Sequence, residues 1–420
     1  MLLTYAVENY KGIATKQTLD FVATQKNEFE DHLANITSTL RVNTGVCITG
    51  ANGTGKTHLL ESLDLLAEVV GHARHDLDIK PFLLDLNSRN KPTSFEVLLY
   101  SDKLKELLNY SLSIFNHKVV AESLYVKSIE KGSQNRKIFE RDESKITLGP
   151  KLKSSQEMIN STVDSGSTLI SYAKGLKIEQ IKETFNILRS IFSFNPMAVT
   201  EIGPGFINYL LFRDGEVSQE NQDKLYIKRN KLLDLSVSLL KTYDIPIESV
   251  KIKKNDSGDS YLIISPRTLC NNEINLTFEE AKDYFSDGTF KTILLVILIS
   301  LMSNCQRIIL LDEIDGSLNY KLSLEIIKMM RVSHKPINSQ FILSTHDILL
   351  LDYEFRRDSI FMTSKGENLE THVARISEFS LRKDAKISSK YIANEFGALP
   401  KILRSESELA LDNLTGESND

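Results

Sequence analysis

Apolar runs at the start of the chain predict short strands. Leu2–Val7 reads as one and the neighbourhood of Leu19–Ala23 as a second, with the turn-like Glu8-Asn9-Tyr10-Lys11-Gly12 between them. Gly45-Val46-Cys47-Ile48-Thr49 is a β-rich apolar run, and from His58 to Val70 the apolar spacing becomes that of a helix. The local order is strand, glycine loop, helix. From about Lys80 to Ile274 the pattern is mixed. It predicts strands at Ser94–Tyr100 and Lys118–Lys127, helices over roughly Ile178–Phe192 and Gln222–Thr242, and a hairpin of Val250–Lys253 with Tyr261–Ile264 through Asn255-Asp256-Ser257-Gly258. Phe278–Tyr284 then leads into a long apolar helix at about Thr289–Ser303, a buried strand Arg307–Leu311 and a further strand Gln340–Ser344. Helix and strand alternate again here, which implies parallel sheet.

These patterns divide the chain into an α/β body formed by residues 1–79 and 275–403, an inserted mixed β/helical lobe at 80–274, and a flexible acidic tail at 404–420. No internal repeat is visible. Composition adds limits rather than chemistry: 41% hydrophobic and 25% charged residues describe an ordinary globular protein. A net charge of −5 excludes a globally basic nucleic-acid binder. Local clusters such as Lys228, Arg229, Lys231 or Lys251, Lys253, Lys254 also read as solvated faces. The widely spaced Cys47, Cys270 and Cys305 form no zinc or disulfide pattern and are expected to be reduced, buried thiols. Met1 leads straight into a strand, without the basic and apolar regions of a secretory leader. The longest apolar run, Ile293–Met302, falls short of the ~20 residues a bilayer requires. A cytoplasmic location without membrane attachment is the expectation.

Chemistry enters at Gly50-Ala51-Asn52-Gly53-Thr54-Gly55-Lys56-Thr57, which fits the phosphate-loop pattern. Its glycines let backbone N–H groups wrap a phosphate at a helix N-terminus. Lys56 would neutralise β and γ oxygens, and the Thr57 hydroxyl would join the water shell of Mg²⁺. Ile308-Ile309-Leu310-Leu311-Asp312-Glu313 places two adjacent acids at the end of an apolar strand. Alone, such a pair also suits a loop start or helix cap. Beside a phosphate loop it reads as the Walker B arrangement, with Asp312 on Mg²⁺ and Glu313 polarising the attacking water.

Ser286-Asp287-Gly288-Thr289 precedes the long apolar helix, where its hydroxyl and amides could grip a phosphate or serve as an ordinary N-cap. The site at residues 50–57 is already complete on that side, so a second grip makes sense for a partner subunit's nucleotide. Ser344-Thr345-His346-Asp347 ends the last apolar strand and sets His346 at the edge that carries Glu313, although a lone histidine is usually structural. Asp315-Gly316-Ser317 could link two sites or be a plain turn.

With these motifs in this order the chain resembles the SMC-like branch of ABC ATPases, and more narrowly the AAA ATPases of bacterial abortive-infection and phage-defence systems. Arg356-Arg357-Asp358-Ser359-Ile360, Ile376-Ser377-Glu378-Phe379 and Phe396-Gly397-Ala398-Leu399-Pro400 match that family's ending, and Glu8–Gly12 resembles its opening beside the nucleotide, which implicates Lys11. Two departures stand out. Leu318-Asn319-Tyr320 replaces the family's Leu-His-Pro, and no glutamine between Asn27 and Ser133 is available for a Q-loop.

The resemblance implies an ABC-type ATPase head, with a P-loop core of mixed and parallel sheet, an antiparallel β lobe and the insertion. It implies hydrolysis of ATP with Mg²⁺ by Lys56, Glu313 and His346. Asn52, Gly53, Thr54, Gly55 and Thr57 would bind nucleotide in cis, and Ser286, Asp287 and Gly288 would bind it in trans within an ATP-bridged homodimer. The function it implies is a sensor or regulator of anti-phage defence, answering a phage-derived trigger and controlling a separately encoded nuclease or toxin. The alternative is a RecF- or SMC-like DNA repair or chromosome-structuring ATPase. DNA contacts are possible on that alternative, but the chain lacks both long heptad arms and a clear phosphate-tracking groove. A transporter subunit fits less well because of the long interruption between phosphate loop and signature.

Overall fold

The computed structural model describes residues 1–26, 28–71, 79–130, 132–143, 145–150, 157, 159, 163–172, 175, 177–194, 219–254, 260–269, 272–302, 306–334, 339–382 and 384–399. The architecture is mixed α/β. A six-stranded sheet lies at its centre, in the order β11 (Ile191–Phe194), β15 (Ile308–Leu311), β16 (Gln340–Thr345), β5 (Gly45–Gly50), β17 (Ile360–Lys365) and β18 (Thr371–Arg375). Its first five strands are parallel and β18 returns antiparallel to β17.

The central strands are apolar on both faces, as covered parallel sheets require. Ile308 and Leu310 of β15 join the core containing Leu59, Leu63 and Leu66 of helix α1 (Lys56–Gly71), whereas Ile309 and Leu311 join the opposite core. That second core surrounds α5 (Asp287–Met302), in which every residue from Ile293 to Ile299 is buried. Over that stretch the helix is enclosed on all sides, which explains its unbroken apolar run. It packs against α3 (Gln219–Thr242) and α6 (Tyr320–His334).

A seven-stranded antiparallel sheet runs β10 (Lys145–Leu148), β9 (Arg136–Asp142), β8 (Lys118–Ser128), β7 (Glu106–Phe115), β6 (Thr93–Ser101), β1 (Leu2–Glu8) and β2 (Gln17–Asp20). Two smaller sheets pair β3 (Leu33–Asn35) with β4 (Arg41–Asn43), and β12 (Ile247–Lys254) with β13 (Ser260–Pro266) and β14 (Leu276–Thr277). The remaining helices are α2 (Glu179–Arg189), α4 (Phe278–Tyr284) and α7 (Ile387–Ile392).

Residues 80–274, expected as one inserted lobe, are distributed over several parts of the molecule. β6–β10 extend the sheet begun by β1, with Tyr5 facing Val97 and Val7 facing Phe95, and β11 forms the edge of the central sheet beside β15. The helix expected over Ile178–Phe192 stops at Arg189. Ile191, Phe192 and Phe194 then pair with Ile308, Ile309 and Leu311, because β-branched and aromatic side chains fit a half-buried strand against an open sheet edge. The second strand also sits earlier than expected, at Gln17–Asp20. Cys270, Cys305, the turn at residues 255–258, Pro400 and the acidic tail lie outside the described residues, as do the side chains of Lys228, Arg229 and Lys254. Cys47 is a buried free thiol whose pKa burial raises.

A polar network ties the two ends of the chain together. Asp358 accepts from the backbone and hydroxyl of Thr24 at 2.7 and 2.6 Å and from Arg356 Nε at 2.9 Å, while Arg375 donates to Val22 O and Asp20. Arg356, Asp358 and Arg375 are buried, and each charge has a partner, as burial demands. This accounts structurally for the Arg356–Ser359 segment.

Candidate nucleotide site

β5, β16 and β15 are adjacent and parallel, so Gly50, Thr345 and Leu311 all end at one sheet edge. Ligands collect at such edges in α/β folds because the loops that leave the strands converge there. Between β5 and α1 the chain turns with Gly53 and Gly55 in the left-handed region, at φ +75° and +101°. Gly53 needs glycine for its backbone alone, since a Cβ there would meet open space. A Cβ on Gly55 would lie 2.2 Å from Thr371 Oγ1. The loop is further braced by Thr54, whose hydroxyl donates to Ala51 O at 2.8 Å and lies 2.6 Å from Thr363 Oγ1.

Lys56 opens α1 and folds back over the loop, donating from Nζ to Gly50 O at 2.9 Å and Ala51 O at 3.0 Å. Only 5% of it is exposed. Desolvation lowers its pKa, and the carboxylates of Glu313, Asp312 and Asp315 oppose that shift. The acids therefore share the lysine's electrostatic environment, as the motif pairing anticipates. Asn52 and Gly53 are exposed at the crest of the loop, and Thr57 is half-buried on the first turn of α1. Two left-handed glycines, a helix N-terminus and a buried ammonium form a cradle whose donor set fits a polyphosphate.

Ser344, at the end of β16, organises the acidic pair. Its Oγ accepts from Glu313 N at 2.8 Å and donates to Asp312 Oδ1. Glu313 itself is left-handed, at φ +50°, a conformation that a non-glycine residue keeps only when its surroundings hold it. His346 is joined to the same loop: its N–H donates to Asp315 Oδ2 at 3.0 Å, and its Nε2 stands 3.7 Å from Glu313 Oε1. Asp312 and a threonine beside a phosphate loop are oxygen ligands of the kind Mg²⁺ takes. Asp315–Leu318 closes as a turn through Leu318 N to Asp315 O at 3.1 Å, and Asn319 caps α6 by accepting from Leu322 N at 3.1 Å. Asn319 thus occupies a helix start here, where the resemblance sets a histidine.

Ser286 and Asp287 are exposed at the N-terminus of α5, with Gly288 half-buried behind them. Ser286 Oγ lies 2.9 Å from Thr289 Oγ1 and accepts from Thr289 N, so it acts as a local cap while remaining on the surface. Gly288 abuts the acidic loop: a Cβ there would lie 2.4 Å from Ser317 O.

Lys11 stands on the opposite flank. It is left-handed at φ +46° and ion-paired with Glu61 of α1 at 2.5 Å. Its neighbour Gly12 donates to His58 Nδ1 at 3.2 Å, and Asn9 fastens the following segment through Phe82 N and Ser88 O. Lys11, Gly12, His58, Phe82, Arg89 and Lys365 line a 740 Å³ cavity next to the phosphate loop. His58, Ser344, Thr363, Thr371 and Lys291 were not legible as site residues. The elements that carry His58, Ser344 and Lys291 are visible in the pattern, whereas β17 and β18, which carry Thr363 and Thr371, are not, and the contacts that matter join segments far apart in sequence.

Residues 46–352 match a family model described as "AAA domain, putative AbiEii toxin, Type IV TA system". No curated protein matches the chain at a significant level. Solved structures similar to it include an SMC head bound to the C-winged helix domain of ScpA, at 10% identity over 90% of this chain and 98% of that one, with a TM-score of 0.48. An SMC head domain from Thermotoga maritima shows 12% identity over 89% and 98%, with a TM-score of 0.39. An Smc head domain with an extended coiled coil, bound to the C-terminal domain of ScpA derived from Pyrococcus furiosus, shows 12% identity over 94% and 99%, with a TM-score of 0.45. The family match spans well over half of the chain and takes in the phosphate loop, the acidic pair and His346, so the protein belongs to this family of AAA-domain ATPases.

Proposed function

We propose that the protein binds ATP with Mg²⁺ at residues 50–57 and hydrolyses it inside a dimer of two identical chains. The observation that carries this proposal is the exposure of Ser286 and Asp287 at a helix N-terminus, a place with the donors a phosphate takes, turned to solvent while the chain's own cradle is served by Lys56. Lys56 and the loop amides would hold the triphosphate in cis, and Ser286, Asp287 and Gly288 would reach a partner's γ-phosphate. Thr57 and Asp312 would hold Mg²⁺, which supplies charge neutralisation on the phosphate oxygens. Glu313 would take the proton of the attacking water, with His346 beside it to orient that water or contact the γ-phosphate. Lys11 and the 740 Å³ cavity would receive the nucleoside end.

Ser286→Arg is expected to spare ATP binding by the monomer and to block ATP-driven dimer formation, measured by light scattering with and without nucleotide. Normal dimers in that variant would remove the trans role.

The biological role we propose is that of a sensor or regulator in an anti-phage defence system, acting on a separately encoded effector. The family's description, which includes a toxin of a type IV TA system, supports placement in a system of that kind, while the sensor role and the separate effector rest on the motif resemblance. No described helix is long and apolar enough to cross a membrane. Expression with the neighbouring genes, scored by phage plating, tests the role. Intact genes should reduce plating and Glu313→Gln should change that reduction, whereas equal plating with and without the system would reject it.

A further inference from the structure

Lys291 lies on the second turn of α5, five residues after the exposed Ser286, and is 4% exposed. Its Nζ donates to two backbone carbonyls of the acidic loop, Glu313 O at 3.0 Å and Gly316 O. The ammonium therefore clasps the loop on both sides of Asp315. Asp315 in turn accepts from the backbone N–H of His346. A second contact couples the same two elements, since Gly288 leaves no space for a side chain against Ser317 O. The helix that presents Ser286 outward and the loop that holds Glu313 in its left-handed conformation are thus joined at two points within one chain.

We infer that Lys291 is a positioning residue that transmits engagement of the helix by a partner's nucleotide to the chain's own Glu313. The proposal rests on the ATP-bridged dimer described above and adds the route by which each half reports to its own acid. Displacement of α5 when Ser286 grips a partner's phosphate moves Lys291 with it, and the two carbonyls follow. Burial strengthens the link. In a site removed from water, charge-assisted bonds to carbonyls are shorter and stronger than neutral ones, and water cannot readily replace them. Desolvation also lowers the Lys291 pKa to about 8, against the raising influence of Asp315 and Glu313. The loop therefore depends on a cation held at a cost.

The test uses the full-length protein and three variants: Lys291→Met, which keeps length and removes charge; Lys291→Arg, which keeps charge; and Gly288→Ala, which presses on Ser317 O from the helix side. ATP affinity is read from a fluorescent ATP analogue, dimer formation from light scattering, and turnover from phosphate release at saturating ATP, expressed per ATP-bridged dimer. Lys291→Met is expected to bind ATP within about threefold of wild type, to dimerise with ATP, and to lose about 30-fold or more in kcat with KM little changed, the signature of misplaced general-base chemistry. Lys291→Arg is expected to recover a substantial part of that loss. Gly288→Ala should lower kcat per dimer without weakening ATP binding by the monomer. If Lys291→Met does not melt cooperatively, Lys291→Gln takes its place, and an unchanged kcat per dimer there overturns the inference. A Lys291→Met kcat within threefold of wild type overturns it as well, as does a loss confined to KM or to dimer formation. Wild-type protein that neither dimerises with ATP nor releases phosphate rejects the ATPase proposal and this inference together. Wild-type behaviour as expected, with an indifferent Lys291→Met, rejects this inference alone.

Discussion

Lys56→Ala is expected to lower ATP affinity by about 100-fold or more, because a charge-assisted hydrogen bond contributes about 1.5–3 kcal/mol and an ammonium between phosphate oxygens makes more than one. The same substitution removes the donor to Gly50 O and Ala51 O, so the loop loses an internal brace along with its cation. The change does not threaten the fold to the same degree. Lys56 sits at the first position of α1, where alanine is a good helix former, and the apolar face that packs the helix begins at Leu59. Calorimetric titration of ATP into wild type and variant, with thermal melting as the control, gives the comparison. Undiminished affinity in a well-folded variant would show that the phosphates bind elsewhere.

Glu313→Gln is expected to leave ATP affinity near wild type and to lower kcat by roughly 10²–10⁴-fold, the usual contribution of a positioned general base. The substitution is close to isosteric. The bonds that fix this residue run through its backbone, from Glu313 N to Ser344 Oγ and from Lys291 to Glu313 O, so the loop keeps its shape. The side-chain pair with His346 is lost, but at 3.7 Å and partly exposed on both sides it contributes little to stability. ATP then persists in the closed site, and the variant should accumulate as a nucleotide-bridged dimer by light scattering under conditions where wild type returns to monomer. A Gln variant that hydrolyses ATP at the wild-type rate would move the base to another residue, with His346 the first to examine.

The glycine loop and the adjacent acids were legible as geometry because residue type there is constrained at close spacing: glycines where φ is positive, lysine at the helix start, carboxylates at the strand end. Strands β1, β5, β15 and β16 were legible for a related reason, since each carries a compact apolar run. The boundary at Arg189 was hidden because Ile191 and Phe192 continue the apolar spacing of α2, and only the open edge of β15 turns them into a strand. The division into body and inserted lobe met a similar obstacle. Nothing local in Thr93–Ser101 indicates that its partner is β1, which is separated from it by β2 to β5 and α1. The braces Thr363 and Thr371 were hidden for the same reason, because an ordinary threonine in a late strand gains its role only from the glycine loop it meets.

Those late braces have a consequence for synthesis. The phosphate-loop motif is complete once residue 57 has been made, yet β17 lies directly beside β5, and the side chains that fill the space around Gly50, Thr54 and Gly55 belong to Thr363 and Thr371. A nascent chain that stops short of this hairpin therefore carries every residue of the motif without the walls that shape it. Competence to hold a nucleotide is expected to arrive only after Arg375 has been made, when distant pairing becomes possible, so products truncated before β17 and β18 would be silent bystanders at the nucleotide.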